Sequence, residues 1–554
     1  MNKIRLYWHT LRHLKPVQFY GRLWFRYSRP RPDLSPHPTL RVLAGSWQLP
    51  ARREPSLLGP EHFVFLNEEG HLAEVGWVGE ARTKLWRYNQ HYFDDLNAEG
   101  AEARGEWHRI LLARWVAENP PGVGDGWEPY PTSLRIVNWV KWALAGNELP
   151  SACVASLAVQ ARWLMRRLEI HLLGNHLFAN AKALIFAGCF FTGPEAERWL
   201  RTGMKILTRE IPEQILSDGG HFERSTMYHA LALEDMLDLL NVLRTAGAAI
   251  APENSFVGRQ QAQCAAAWPA LISSMVSWLK TMSHPDGEVG FFNDAALGIA
   301  PSCASLLAYA QRLGVEQGAD ANPAWMAASG YARLQNEAAV MLFDAAPVGP
   351  DYLPGHAHAD TLSFELSLFG QRVFVNSGTS EYGLSAERLR QRGSAAHNTV
   401  VVDGENSSEV WSGFRVARRA YPSVAQVDLQ ESAQRLSASH DGYQRLASPV
   451  TVSRAVQLES AFLLIEDELQ GECAAAVAYF HLHPGVQARQ HSDGTLVLRL
   501  ASGQQLSMLL EGADSVSITE STWHPRFGVV EPNQCIAVGL AGRRLLTRIE
   551  WSQQ

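Results

Sequence analysis

The sequence predicts a chain of two textures, paired helices first and an antiparallel β architecture after them. Between about residues 80 and 330 the apolar side chains recur three and four apart, the period of a helix buried on one face. From about residue 335 they alternate with polar ones, the period of a strand. Asp-Gly and Ser-Gly pairs punctuate the alternating stretches, as hairpin turns require.

Residues 1–80 read as an N-terminal extension of mixed structure. The opening MNKIRLYWHTLRHLKPVQFYGRLWFRYSRP is basic and aromatic, and a Pro-rich segment, RPRPDLSPHP, follows. No apolar stretch of roughly 7–15 residues with a small-residue cleavage site is present, so no secretory signal and a cytoplasmic location are expected. No run approaches the ~20 apolar residues that cross a bilayer, so no transmembrane segment is expected.

Residues 81–332 read as the helical domain. SACVASLAVQARWLMRRLEI repeats at helical period, and Leu233, Met236, Leu237, Leu240 and Leu243 form one stripe. Connectors such as LLGN, SDGG and SHPDGE are short, which favours antiparallel helix pairs. Residues 333–554 read as an antiparallel sandwich or barrel. Leu362, Phe364, Leu366 and Leu368 alternate with Ser363, Glu365 and Ser367, and a hairpin is centred near Gly370. TLVLRLASGQQLSMLL gives another around Ser502-Gly503, and Asp403-Gly404, Asp441-Gly442 and Asp493-Gly494 are further turn signals.

Composition bounds the function. Of 554 residues 46% are hydrophobic and 19% charged, which allows a large core and excludes global disorder. A net charge of −7 excludes a broad basic field for nucleic acid. The six cysteines have no paired spacing and read as reduced thiols, without a zinc ribbon or disulfide framework. The 18 tryptophans suit either sugar stacking or helix–helix packing.

Four islands hold unusual polar residues in apolar surroundings. In GNHLFANAKALIF, Asn175 and His176 open a helix, where Asn175 also suits an N-cap and His176 a first-turn surface position. In SDGGHFERSTMYHALAL, Ser225 can cap a helix whose first turn carries Tyr228. The helix N-terminus favours a phenolate there, and a boundary tyrosine is the plainer reading. In PGHAHADTLSFEL, His356, His358 and Asp360 precede a strand, a plausible metal or acid/base element. In RLRQRGSAAHNTVVV, Arg388, Arg390 and Arg392 lead to His397 and suggest an anion site or a solvated loop. Spacing alone does not bring the four together.

As an ordered set the islands resemble the heparinase II/III-like family, which includes related alginate lyases. The carrying motifs are Gly174-Asn175-His176, Ser225-Thr226-Met227-Tyr228, His356-Ala357-His358-Ala359-Asp360 with Ser363-Phe364, Gly378-Thr379, and Ala396-His397-Asn398-Thr399. The resemblance spans roughly residues 80–480. It implies an incomplete α/α toroid followed by a large antiparallel β-sandwich, and cleavage of uronic-acid polysaccharides by β-elimination. It implies that Asn175 and His176, with help from His356, neutralise the uronate carboxylate so that enolate-like charge can develop. It implies Tyr228 as acid, and for syn geometry as base, with His176 or His356 as the alternative base. It also implies a structural metal, usually zinc, on His358, Asn376 and His397. Asn376 departs from the family's usual Asp, which removes the negative ligand and leaves a neutral hydrogen-bond network as the competing reading.

The expected partner is an acidic poly- or oligosaccharide. In an acidic chain that needs a local basic cleft, for which Arg135, Arg224, Arg388 and Arg392 are the candidates. Two other classes compete. A hydrolase on the same toroid would use carboxylates among Asp218, Glu223, Asp286 and Asp294, about 5–9.5 Å apart. A non-catalytic glycan-binding or assembly protein of a polysaccharide biosynthesis system would bind without turnover.

Overall fold

The computed structural model describes residues 3–247, 250–251, 255–316, 324–429 and 433–552. Two short helices, α1 (Lys3–Leu11) and α2 (Pro16–Tyr27), come first. A three-stranded meander (Leu57–Gly59, His62–Phe65, Glu68–His71) and a one-turn helix, α3 (Leu72–Val75), follow. The helical body contains α4 (Lys84–Tyr92), α5 (Gly105–Glu118), α6 (Pro129–Leu144), α7 (Ser151–Arg166), α8 (Gly174–Phe190), α9 (Pro194–Gln214), α10 (Thr226–Ala246), α11 (Phe256–Thr281) and α12 (Cys303–Arg312). It is the incomplete toroid.

Its helices approach closely where side chains are small. A Cβ on Gly203 of α9 would lie 2.7 Å from Ile185 and 2.8 Å from the Ala181 carbonyl of α8, so only glycine admits that contact. Trp86, Trp115, Trp139 and Trp278 are fully buried, and Trp115 meets Trp139 edge-on at 5.7 Å. These indoles serve helix packing, which decides that alternative for them.

The β region forms three sheets around one apolar core. A five-stranded sheet runs Trp325–Met326, Tyr331–Gln335, Ala339–Asp344, Phe364–Leu368, Gln371–Phe374. An eight-stranded antiparallel sheet has the spatial order Pro422–Asp428, Gln434–His440, Thr451–Leu458, Phe462–Gln470, Arg544–Trp551, Gln505–Glu511, Leu496–Arg499, Gln487–Gln490. A four-stranded sheet runs Ala513–Trp523, Glu531–Leu540, Ala476–His481, Val400–Val402. Phe364, Ile465 and Val538, one from each, share that core.

One local expectation holds and one changes. The hairpin at Gly370 forms, pairing Leu368 with Gln371, and its polar face is buried. Glu365 is fully buried, meets His284 at 3.0 Å and accepts from the amides of Phe291 and Asn376 at 3.0 and 2.7 Å. The polar alternation therefore marks the seam with the helical body. Asp441-Gly442 does not make a tight hairpin, because a 3-10 turn, Gly442–Arg445, lengthens that connection. The six cysteines are free thiols. No helix among the described residues is long and apolar enough to cross a membrane.

Candidate active site

The site is assembled where the start of α8, the start of α10 and a loop of the β region meet. Leu173 and Gly174 both take positive φ, 62° and 52°, to turn the chain into α8. A Cβ on Gly174 would sit 2.4 Å from Leu353 and 3.4 Å from Glu223 Oε1, so glycine is required there. Gln214 Nε2 donates to the Gly174 carbonyl at 3.1 Å and holds the turn. Asn175 is therefore not the cap. It lies inside the first turn, half-buried, with no hydrogen-bond partner among the described residues.

The start of α10 is built as its sequence suggests. Ser225 Oγ accepts from the Tyr228 amide at 3.1 Å. Just before it, Arg224 has φ of 59°, and its carbonyl accepts from Tyr331 Oη at 2.7 Å and Asn293 Nδ2 at 3.1 Å. That strained turn places Glu223 and Tyr228 on one side.

There the distant segments converge. The Tyr228 ring stacks on His356 with centroids 3.8 Å apart and planes 18° from parallel. Tyr228 Oη lies 3.1 Å from Tyr382 Oη. His356 Nδ1 meets Glu223 Oε2 at 2.5 Å. A carboxylate only accepts, so His356 Nδ1 is the donor in that contact. The other Glu223 oxygen, Oε1, is buried, has no hydrogen-bond partner among the described residues and faces Gly174. His176 Nδ1 meets Glu169 Oε1 at 3.2 Å, and its ring lies 4.6 Å from Tyr130.

Electrostatics separates the roles. Burial opposes the charge on Glu223, but His356, His221 and His176 outweigh it and hold its pKa below the usual range. Burial also opposes the His176 imidazolium, yet Glu169 outweighs it, with help from Glu223 and Glu128, and raises its pKa. Burial, then Tyr382, push the Tyr228 phenol well above its ordinary pKa. The helix-terminus argument for a phenolate fails here because desolvation penalises the charged form more than the dipole helps it. The Tyr228 phenol is therefore held in its protonated form.

The four arginines expected to line a basic cleft do not do so. Arg135 is fully buried 3.8 Å over Trp115 and donates to Gln160 at 3.0 Å. Arg224 donates to the carbonyls of Ser329 and Phe222 at 3.0 and 3.2 Å. Arg388 forms a buried ion pair with Asp294, with Nη2 2.7 Å from Oδ2. Arg392 donates twice to the Ala357 carbonyl, at 3.0 and 2.9 Å. Their donor forks staple loops together. The cation that the site's electrostatics favour is the His176 imidazolium. Three carboxylates considered for a hydrolase are likewise engaged: Asp218 with Ser329, Asp286 with Arg372, Asp294 with Arg388.

A second cluster lies deeper. Donor atoms of His358, Asp360 and His397, all buried, fall within 4.8 Å of one another. His358 Nε2 meets Asp294 Oδ1 at 2.8 Å, which fixes its proton there and turns the Nδ1 lone pair toward His397 Nε2, 3.2 Å away. Burial lowers the pKa of His358 to about 4 and of His397 to about 3, so both rings are neutral, the form that binds metals. Asn376, expected beside the two histidines, takes part in a neutral hydrogen-bond network. Its Oδ1 accepts from the Asn398 amide at 3.2 Å and its Nδ2 points to Ser363 Oγ at 3.5 Å. Asp360 brings a carboxylate oxygen to the two imidazoles. Two imidazole nitrogens and one carboxylate oxygen match a three-ligand cation site.

Comparison with known proteins places the chain. The model described as Heparinase II/III N-terminus matches residues 143–311, and that described as Heparinase II/III-like, C-terminal matches 318–552. The chain belongs to the heparinase II/III-like family. A heparin-sulfate lyase of Bacteroides stercoris is 24% identical over 379 residues, covering 63% of this chain and 53% of that protein. FtsZ-localized protein C of Caulobacter vibrioides is 27% identical over 376 residues, 62% of this chain and 59% of that protein. The chain thus spans between half and three-fifths of the length of these curated relatives. A crystal structure of heparinase III shares the fold, with a TM-score of 0.68 at 18% identity over 86% of this chain and 79% of that one.

Within this heparinase II/III-like chain, the sequence pointed to Tyr228, His176 and His356 but gave no signal for Tyr382 or Glu169. Glu223 was noticed only as a carboxylate in a loop. Tyr382 lies in SEYGLS, where nothing in the local pattern separates it from any loop tyrosine.

Proposed function

We propose that this chain is a polysaccharide lyase that cleaves a uronate-containing glycan by β-elimination. The observation that carries the reading is the stack of Tyr228 on His356, with Glu223 behind the imidazole. Elimination needs a base for the C5 proton, an acid for the departing O4, and a quenched C6 carboxylate. His356 Nε2 is the base. Glu223 keeps the proton on Nδ1 and stabilises the imidazolium that forms when Nε2 takes the C5 proton. Tyr228, whose phenol is held protonated, gives its proton to O4 as the C4–O4 bond breaks. The His176 imidazolium and the unpartnered Asn175 amide, at the positive end of α8, neutralise the carboxylate as the enolate-like charge develops. The product carries a C4=C5 double bond.

The His358–Asp360–His397 set is assigned to a structural cation, zinc by its ligand types. When bound it would tie the segment before strand Phe364–Leu368 to the loop before strand Val400–Val402. No proton transfer above depends on it.

The experiment is a screen of acidic glycans for ultraviolet-absorbing unsaturated products, run on wild type and Tyr228→Phe side by side. Saturated products would point to hydrolysis and discard the reading. A second reading, a non-catalytic assembly protein, is favoured by one observation: a relative as similar as the lyase is named for its place with FtsZ. Glycan binding without turnover, unchanged in Tyr228→Phe, would select it.

A further inference from the structure

The helix α2 presents its apolar side to solvent. At about 100° per residue, Phe19, Tyr20, Leu23, Trp24 and Tyr27 fall on one face. Tyr20 and Leu23 are each 60% exposed, Trp24 67% and Tyr27 76%. The opposite face, which packs on the protein, buries Gln18 and Gly21. A Cβ on Gly21 would lie 2.9 Å from His171 Cβ, and Gln18 Nε2 donates to the Tyr352 carbonyl at 3.1 Å. This is the reverse of an ordinary surface helix, whose apolar stripe faces the core. α1 buries Leu6 in the ordinary way but also exposes an apolar stripe, Ile4 at 76%, Tyr7 at 43%, Trp8 at 68% and Leu11 at 40%.

Charge accompanies the exposed aromatics. Residues 1–32 hold eight Lys and Arg and no Asp or Glu, in a chain of net charge −7. Arg22 and Arg26 lie on one flank of the α2 stripe, and neither is ion-paired among the described residues. A monomer surface rarely keeps such an apolar patch bare. Trp and Tyr with flanking arginines are the composition of a helix lying in the plane of a bilayer, where the rings enter the headgroup boundary and the guanidiniums meet lipid phosphates.

We propose that α1 and α2 form a peripheral docking surface for an anionic phospholipid membrane. The surface contacts both halves of the molecule. Phe25 packs against His171, ring centroids 4.5 Å apart and tilted by 38°, in the segment that leads into α8, and Thr10 donates to the Val416 carbonyl of the β region at 3.2 Å. Docking therefore fixes the orientation of the whole chain at the bilayer. It requires nothing of the catalytic reading.

The test is co-sedimentation of the full chain with vesicles of phosphatidylcholine alone and of phosphatidylcholine mixed with phosphatidylglycerol. Binding is expected only with the anionic lipid, falling as salt rises. Arg22→Gln and Arg26→Gln should each weaken it by about fivefold. Leu23→Glu with Trp24→Glu should abolish it, while thermal unfolding is unchanged because both side chains are exposed. Failure to bind anionic vesicles, or equal binding by the Leu23→Glu, Trp24→Glu variant, overturns the proposal. So does concentration-dependent dimerisation that the same variant removes without any lipid binding, which would give the face to a second copy. Retention on an acidic polysaccharide in place of lipid, lost in that variant, overturns it as well.

Discussion

Replacing Tyr228 by Phe removes one oxygen and keeps the ring on His356, 3.8 Å away. In the folded state the loss is one neutral hydrogen bond, the 3.1 Å contact with Tyr382 Oη, so stability should fall by about 1 kcal/mol. In the reaction the loss is the proton donor for O4. General-acid catalysis contributes about 10²–10⁴ in rate, so the barrier should rise by about 3–5 kcal/mol. Rate and stability should therefore separate. KM should change little, since the phenol serves the breaking bond more than the ground state. The assay is the initial rate of ultraviolet absorbance on an accepted polyuronide, beside a thermal melt of the same preparations. The phenol's raised pKa adds a further expectation: wild-type activity should show no loss from Tyr228 deprotonation anywhere in the neutral range. A variant with a rate within about twofold of wild type would refute the acid role, because no general acid of this efficiency contributes so little.

Glu223→Gln should lower kcat by about 10²-fold with little change in KM, because the amide no longer fixes the His356 proton on Nδ1 or stabilises the imidazolium. A pH–rate profile of that variant distinguishes loss of orientation from misfolding. His176 has a raised pKa, so its contribution to stability is complete below its ordinary value of about 6.5 and is lost as pH rises through the folded value. Melts from mildly acid to alkaline pH should show that increment in wild type and not in His176→Ala, and KM for a uronate should rise over the same window. Gly174→Ala forces a Cβ against Leu353 at positive φ and should cost about 1–3 kcal/mol, read by denaturant unfolding, with activity falling as α8 shifts. If a cation cross-links His358, Asp360 and His397, metal analysis should find about one zinc per chain, and chelation should lower the melting temperature of wild type but not of His397→Ala.

The order of helices and strands was legible in the sequence because it depends on local period. The stripe from Leu233 to Leu243 and the alternation from Leu362 to Leu368 are each set by neighbours a few residues apart. The cap of α10 by Ser225 is equally local. The ordered motifs also pointed to Tyr228, His176 and His356. What they touch was not legible. Glu223 and His356 are 133 residues apart, and Tyr228 and Tyr382 are 154 apart. No period or spacing carries a contact across that distance. The same holds for the arginines. A charge in a loop looks the same in sequence whether it meets solvent or a buried Asp294, and only the packed chain gave Arg388 to that carboxylate. Desolvation likewise belongs to the whole fold, which is why the helix terminus taken alone favours a phenolate at Tyr228 while burial in the packed chain keeps the phenol protonated.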